Sequence, residues 1–144
     1  MTDAVPTPAQ VVDAMHAAFR ESDLDGIARY WAEDVTYRAP GVELSGKAAR
    51  VLAENVWLDA FTSNEVETTA RFVDGDEIVD FAIMSGLHTG PLALPGGQVL
   101  PATGVRVSGP YVARYRIVEG RVAYQHVIYD RLTLVEQLHS GAAA

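Results

Sequence analysis

Two short turn signals in the second half of the chain, Asp74-Gly75-Asp76 and Glu119-Gly120, constrain its fold more than any other feature. Each separates two long runs with the look of strands: "EVETTARFV" from "EIVDFAIMSGLHTG", and "VRVSGPYVARYRIV" from "RVAYQHVIYDRL". Glycine beside an acidic residue supplies the positive φ that a tight hairpin needs, so both spacings predict long antiparallel hairpins. Four such strands have a face to bury, and the first half of the chain supplies the cover. Pro8 suits a first helical turn with Thr7 as its cap, and Val12, Met15, His16 and Phe19 then recur at helical spacing. "ESDLDGIARYWAEDV" reads as a second short helix capped near Ser22 or Asp23, with Leu24, Ile27, Ala28 and Trp31 inward. "VTYRAP" is a short strand stopped by Pro40 and Gly41. "GKAARVLAENVWLDAFTS" is a third helix, with Val51, Leu52, Val56 and Phe61 among its apolar positions. "PLALPGGQVLPATG" is a loop between the hairpins, and "LTLVEQLH" a short closing helix. Helices followed by antiparallel strands give an α+β layer: three N-terminal helices packed on a curved, mostly antiparallel sheet. The 144 residues fill a single domain, 1–144, and a sheet curled round helices encloses a pocket between the layers.

Charge and composition narrow the partners. A net charge of −8 argues against nucleic acid and anionic membrane surfaces, which select for Lys/Arg stripes. With no cysteine, neither disulfides nor thiolate chemistry is available. The start, "MTDAVPTPAQ", lacks a basic segment followed by an apolar one, and no apolar run approaches the ~18 residues of a membrane span, so the expected location is cytoplasmic. Four histidines without paired-ligand spacing predict no metal site.

The stretch "YQHVIYD" carries the functional question. Strand alternation puts Tyr124, His126, Ile128 and Asp130 on one face, and a buried face normally rejects a carboxylate because desolvating its charge is costly. Asp130 is therefore either a strand-end carboxylate that caps "RLTLVEQL", or a group that faces a cavity. His126 lies about 13 Å of strand away, too far for a direct hydrogen bond but suited to the other end of one substrate. His16, on an apolar helix face, is a satisfied core histidine or a ligand contact. His88 closes a strand, where it serves a turn hydrogen bond or a ligand. Trp31, Tyr37 and Trp57 are core aromatics or a substrate platform.

Several of these segments resemble the SnoaL-like polyketide cyclase (ester cyclase) group of the NTF2-like superfamily. The resemblance rests on Gly75-Asp76, His88-Thr89-Gly90, Pro101-Ala102-Thr103-Gly104, Gly120, Asp130 and Gln137-Leu138, and on "YWAEDVTYRAPG" near the start. It implies a cone-shaped fold and a cofactor-free aldol ring closure of a polyketide-like carbonyl compound, as in antibiotic biosynthesis. It further implies Asp130 as the acid/base group. Cyclases of this group carry a second polar residue, often histidine, on the strand before the final hairpin; here "ARYRIV" offers Arg114 and Arg116 instead. The expected site is thus Asp130 and His126 as catalytic residues, with His16, Trp31, Tyr37, Trp57, His88 and Arg116 as substrate contacts. An epoxide hydrolase or hydroxylase of the same fold is an alternative, in which Asp80 and Arg116 join Asp130. A non-catalytic ligand-binding module is another. In an apolar pocket Asp130 would have its pKa raised above the usual ~3.9. The last strands carry apolar residues on both faces, Tyr124 and Ile128 against Ala123, Val127 and Tyr129, which predicts a homodimer or larger homo-oligomer.

Overall fold

A computed structural model describes residues 4–142. Its helices are α1 (Pro8–Arg20), α2 (Leu24–Ala28), α3 (Lys47–Ala60) and α4 (Arg131–Ala142). Its strands are β1 (Trp31–Ala39), β2 (Val42–Ser45), β3 (Phe61–Asp74), β4 (Glu77–His88), β5 (Leu92–Ala93), β6 (Val99–Leu100), β7 (Arg106–Val118) and β8 (Arg121–Tyr129). Six strands form one sheet in the order β2-β1-β8-β7-β4-β3, and β5 and β6 pair as a small separate hairpin. All neighbours in the large sheet are antiparallel except β1 and β8, which run parallel.

Local chemistry accounts for the helix starts. The Thr7 hydroxyl accepts from the Gln10 amide at 3.2 Å while the Gln10 side chain accepts from the Thr7 amide at 2.9 Å, a reciprocal capping box ahead of Pro8. Asp23 caps α2 through Gly26 at 3.0 Å. That helix is shorter than its sequence suggests. It ends at Ala28, and Trp31 opens β1, because the Tyr30 carbonyl accepts from the Val122 amide at 2.7 Å and Trp31 pairs with Val122. Sheet pairing captures a segment whose local pattern favours helix. Phe61, read as helical, likewise begins β3, and Leu52 on α3 stays exposed to solvent. The sequence reading omitted β2, the β5–β6 pair and the full extent of α4.

Both hairpins close as expected. Gly75-Asp76 joins β3 to β4, and Glu119-Gly120 joins β7 to β8 with φ of 51° and 75°. Positive φ at both central residues matches the twist of the flanking strands. Register shifts in β3, at Thr62/Glu65 and Thr68/Ala70, and one at Arg116/Ile117 opposite Ala123 bend the long strands round the helices. Val11, Val12, Met15 and Phe19 of α1 pack with Ile27, Trp31, Val35, Ile78, Ala113 and Tyr115 to form the main core. A second cluster, Phe61, Leu92, Leu100, Val107 and Leu138, docks α4 and the small hairpin at one end. The Gln137 side chain fastens α4 there, accepting from the Ser108 amide at 3.0 Å and donating to the Ser108 carbonyl at 2.9 Å.

Candidate active site

Between the helices and the concave sheet face lies a cavity of about 630 Å³, the size that takes a drug-sized molecule. Its wall is mainly apolar. The polar groups on it come from α1 (His16), α3 (Arg50, Glu54), β1 (Tyr37), β2 (Glu43), β7 (Tyr111, Tyr115), β8 (Gln125, Tyr129) and the start of α4 (Arg131). Inward-facing residues of β7 alternate as Tyr111, Ala113, Tyr115 and Ile117, while Arg114 and Arg116 point the other way into solvent. On β8 the inward residues are Gln125, Val127 and Tyr129.

This phase corrects the reading of "YQHVIYD". His126 pairs with Arg114 and Tyr124 with Arg116 across β7 and β8, so all four belong to the outer face. Outside the cavity, the His126 ring stands edge-on to Tyr124 and the Arg114 guanidinium lies over Tyr124. Neither His126 nor Arg116 reaches the cavity. Asp130 is exposed at the end of β8 and caps α4, accepting from the Thr133 amide at 3.0 Å and the Thr133 hydroxyl at 2.7 Å. Those hydrogen bonds hold its carboxyl below the usual carboxylate range, the opposite of the expected rise. An anion at a helix N-terminus also suits the helix dipole.

His88 too lies outside the cavity. It is fully buried, and its Nδ1 sits 2.9 Å from the Thr103 hydroxyl and accepts from the Thr103 amide at 3.2 Å. The Gly104 amide donates to the His88 carbonyl at 2.8 Å. The His-Thr-Gly and Pro-Ala-Thr-Gly motifs therefore meet as a structural clamp that closes the loop carrying β5 and β6. Burial keeps the His88 imidazole neutral by lowering its pKa.

The structure places His16, Trp31, Tyr37 and Trp57 on the cavity wall. His16 is only 7% exposed, and its Nε2 stands 3.5 Å from the Tyr111 hydroxyl. Burial pushes its pKa down. Asp80 opposes that shift and Arg71 and Arg20 add to it, so the imidazole is neutral at pH 7. Burial raises the pKa of Tyr111, with Asp80 and Glu54 adding to the rise, and its phenol keeps its proton. Tyr115 is raised in the same sense, and Tyr37 is pushed up to about 12. A neutral base and a neutral proton donor thus face each other in an apolar enclosure.

Arg50 forms a second polar group on the wall. Its guanidinium lies over both the Trp31 and Tyr37 rings, 4.3 and 3.9 Å from their centroids. Its edges bond Glu54 at 2.8 Å and Gln125 at 3.3 Å. Behind the wall, Arg71 donates to fully buried Asp80 at 2.6 and 2.9 Å and to Asp13 at 2.9 Å. This Asp–Arg–Asp cluster joins α1, one turn from His16, to β3 and β4. None of its three members lines the cavity, though the Asp80 charge acts on both His16 and Tyr111.

Sequence reasoning passed over Tyr111, Arg50, Glu54, Gln125, Tyr129 and Arg131. The signal for Tyr111 was present: in "PYVARYRIV" the phase Tyr111, Ala113, Tyr115, Ile117 is free of charge, whereas the opposite phase carries both arginines. Arg50 and Glu54 look like an ordinary i,i+4 surface pair until the helix is placed over the sheet. Among the described residues no three His, Asp or Glu side chains converge as a metal centre requires, and no helix is long and apolar enough to cross a membrane.

A family profile described as SnoaL-like polyketide cyclase matches residues 9–138. Several solved structures share the fold. A putative hydroxylase of Streptomyces galilaeus, AclR, aligns with a TM-score of 0.78 at 23% identity, covering 92% of this chain and 96% of its own. A putative polyketide cyclase of Xanthomonas campestris aligns at 0.77 and 19%, covering 91% and 96%. A Catenulispora acidiphila protein of ketosteroid isomerase-like fold aligns at 0.74 and 16%, covering 93% and 95%. No curated protein matches the chain. At these identities the likeness establishes the fold, and the same fold carries different activities.

Proposed function

The chain belongs to the SnoaL-like polyketide cyclase family, and we propose that it catalyses a cofactor-independent proton transfer on an apolar carbonyl compound, leading to intramolecular aldol ring closure or a related isomerisation. The observation that carries this reading is the neutral His16 imidazole set against the Tyr111 hydroxyl on the wall of an apolar cavity. The base is His16 rather than Asp130, whose carboxylate is exposed and occupied with capping.

A C–H flanked by carbonyl groups is already acidic, so one positioned neutral base is adequate. His16 takes that proton, and the electron pair moves onto the carbonyl oxygen. The Tyr111 O–H, kept protonated by burial, hydrogen-bonds the enolate oxygen as charge develops there. The enolate carbon then attacks a second carbonyl of the same molecule. A C–C bond forms, the second C=O opens to an alkoxide, and the imidazolium returns its proton to that oxygen. Atoms and charge balance without an external reagent. The apolar wall and the Trp31 and Trp57 rings hold a flexible substrate in the folded geometry that closure requires.

The test follows solvent deuterium entering the α-carbon of 2-acetyl-1-tetralone, a fused-ring compound whose α-C–H is flanked by two carbonyls, by NMR. The protein should accelerate exchange, and His16→Gln should remove about 10²- to 10⁴-fold of the rate, the usual worth of a general base. Tyr111→Phe should cost about 10²- to 10³-fold, as loss of an oxyanion donor does. Full exchange activity in His16→Gln, or its loss in Asp130→Asn, would return the base to another residue.

A further inference from the structure

We propose that the natural ligand carries a carboxylate on its apolar body and that Arg131 receives this group at the cavity rim. The inference rests on the reading of the cavity as the substrate site.

Arg131 lines the cavity and is half-buried, yet its one hydrogen bond among the described residues is a long one, 3.3 Å from Nη1 to the Pro40 carbonyl. The ion pairs among the described residues engage Arg38, Lys47, Arg50, Arg71, Arg106 and Arg114, and leave Arg131 out. The other cation on the wall, Arg50, is already held by Glu54 and Gln125. Arg131 is therefore the cavity cation whose charge no carboxylate answers among those residues.

Its placement runs against local preference. Arg131 is the first residue of α4, where unpaired backbone N–H groups make a positive side chain unfavourable. Its guanidinium lies against Gly41, in the β1–β2 turn, where the positive φ of 75° favours glycine on its own account. The long bond to Pro40 ties α4 to that turn and uses one edge of the guanidinium, leaving the remaining N–H groups for a ligand.

The surroundings specify the ligand chemistry. Tyr129, beside Arg131 on the cavity wall, is kept protonated by burial against the opposing influence of that arginine, so its O–H can donate to an anion. Glu43 also stands on the rim, exposed and 3.9 Å from Arg38, and Glu54 is bound to Arg50. With one guanidinium that no carboxylate answers among the described residues, one hydroxyl and an acid nearby, the rim suits a monoanion rather than a phosphate dianion. A guanidinium edge matches the two oxygens of a carboxylate. The chain's net charge of −8 repels anions at long range, so this recognition must be local.

The test compares anthraquinone-2-carboxylate with its methyl ester, reading binding through quenching of Trp31 and Trp57, both on the cavity wall. The wild-type chain should bind the acid about 10- to 100-fold more tightly than the ester, the worth of one charge-assisted contact. Arg131→Gln should erase that preference by weakening the acid alone, and Arg131→Lys should keep part of it. Equal affinity for acid and ester in the wild type, a preference that survives Arg131→Gln, or no binding of either compound at millimolar concentration overturns the proposal. Because the readout is binding, its failure is distinct from a failure of the proton-exchange assay.

Discussion

Acidification from pH 7.5 to 5.5 should destabilise this protein through two buried histidines. His16 is 7% exposed and His88 fully buried, and burial lowers the pKa of each. In the unfolded chain both titrate near 6.5. The unfolded state therefore binds more protons than the native state over this window, and stability must rise with pH. The contribution is fully present above 6.5 and is lost as pH falls from there toward the native values. At pH 5.5 each histidine that stays neutral in the fold costs at most about 1.4 kcal/mol, so the pair removes up to about 2.8 kcal/mol. That is a large share of the ~5–15 kcal/mol typical of a domain. Asp80 pulls the His16 value back up, so His16 should contribute less than this ceiling. Urea denaturation at four or five pH values measures the slope directly. Replacing His16 with Gln should flatten the curve by that residue's share, whatever it does to stability at pH 7.5. Stability that stays level between pH 7.5 and 5.5, or a slope unchanged in His16→Gln, would mean that the fold takes up a proton at His16 as readily as the unfolded chain does, and the burial argument for its neutrality would fail.

Two further outcomes follow from the geometry. Asp130→Asn should keep turnover, since the carboxylate stands outside the cavity, and should fold well because Asn is also a good cap; Asp130→Ala should lower the thermal midpoint by exposing the first turn of α4. A thermal melt beside the exchange assay separates the two. On the outer sheet face Phe72, Phe81, Ile83 and Ile128 are exposed together with the partly buried Tyr124, and we expect a second copy to cover them. Light scattering that gives the monomer mass across micromolar concentrations would remove that expectation.

Much of the architecture was legible in the sequence because it depends on local chemistry. Gly75 and Gly120 fix two turns, Thr7 and Pro8 fix a helix start, and apolar spacing marks the buried face of α1; each signal is complete within a few residues. The motifs that carry the family resemblance were legible too, yet most of them are structural. His88 and Thr103 clamp a loop, Gln137 fastens a helix, and Asp130 caps one. Recurrence of such residues in a pattern reveals that they are needed without revealing why.

The candidate site was decided by tertiary structure. A strand shows two faces one residue apart in phase, and "YQHVIYD" does not say which is inward. The register shift opposite Ala123 sets that phase, and it depends on how β8 pairs with β7. It turns Gln125, Val127 and Tyr129 to the cavity and His126 to solvent. The His16–Tyr111 contact spans 95 positions of chain, and the pocket wall joins α1, α3, β1, β7 and β8. The sequence alone determined the long hairpins, the helix starts and the layering of helices on a sheet, while pairing decided where helix gives way to strand at Trp31 and Phe61. Which side chains meet inside depended on long-range register and packing, where one residue of phase exchanges the wall of a cavity for the outside of a sheet.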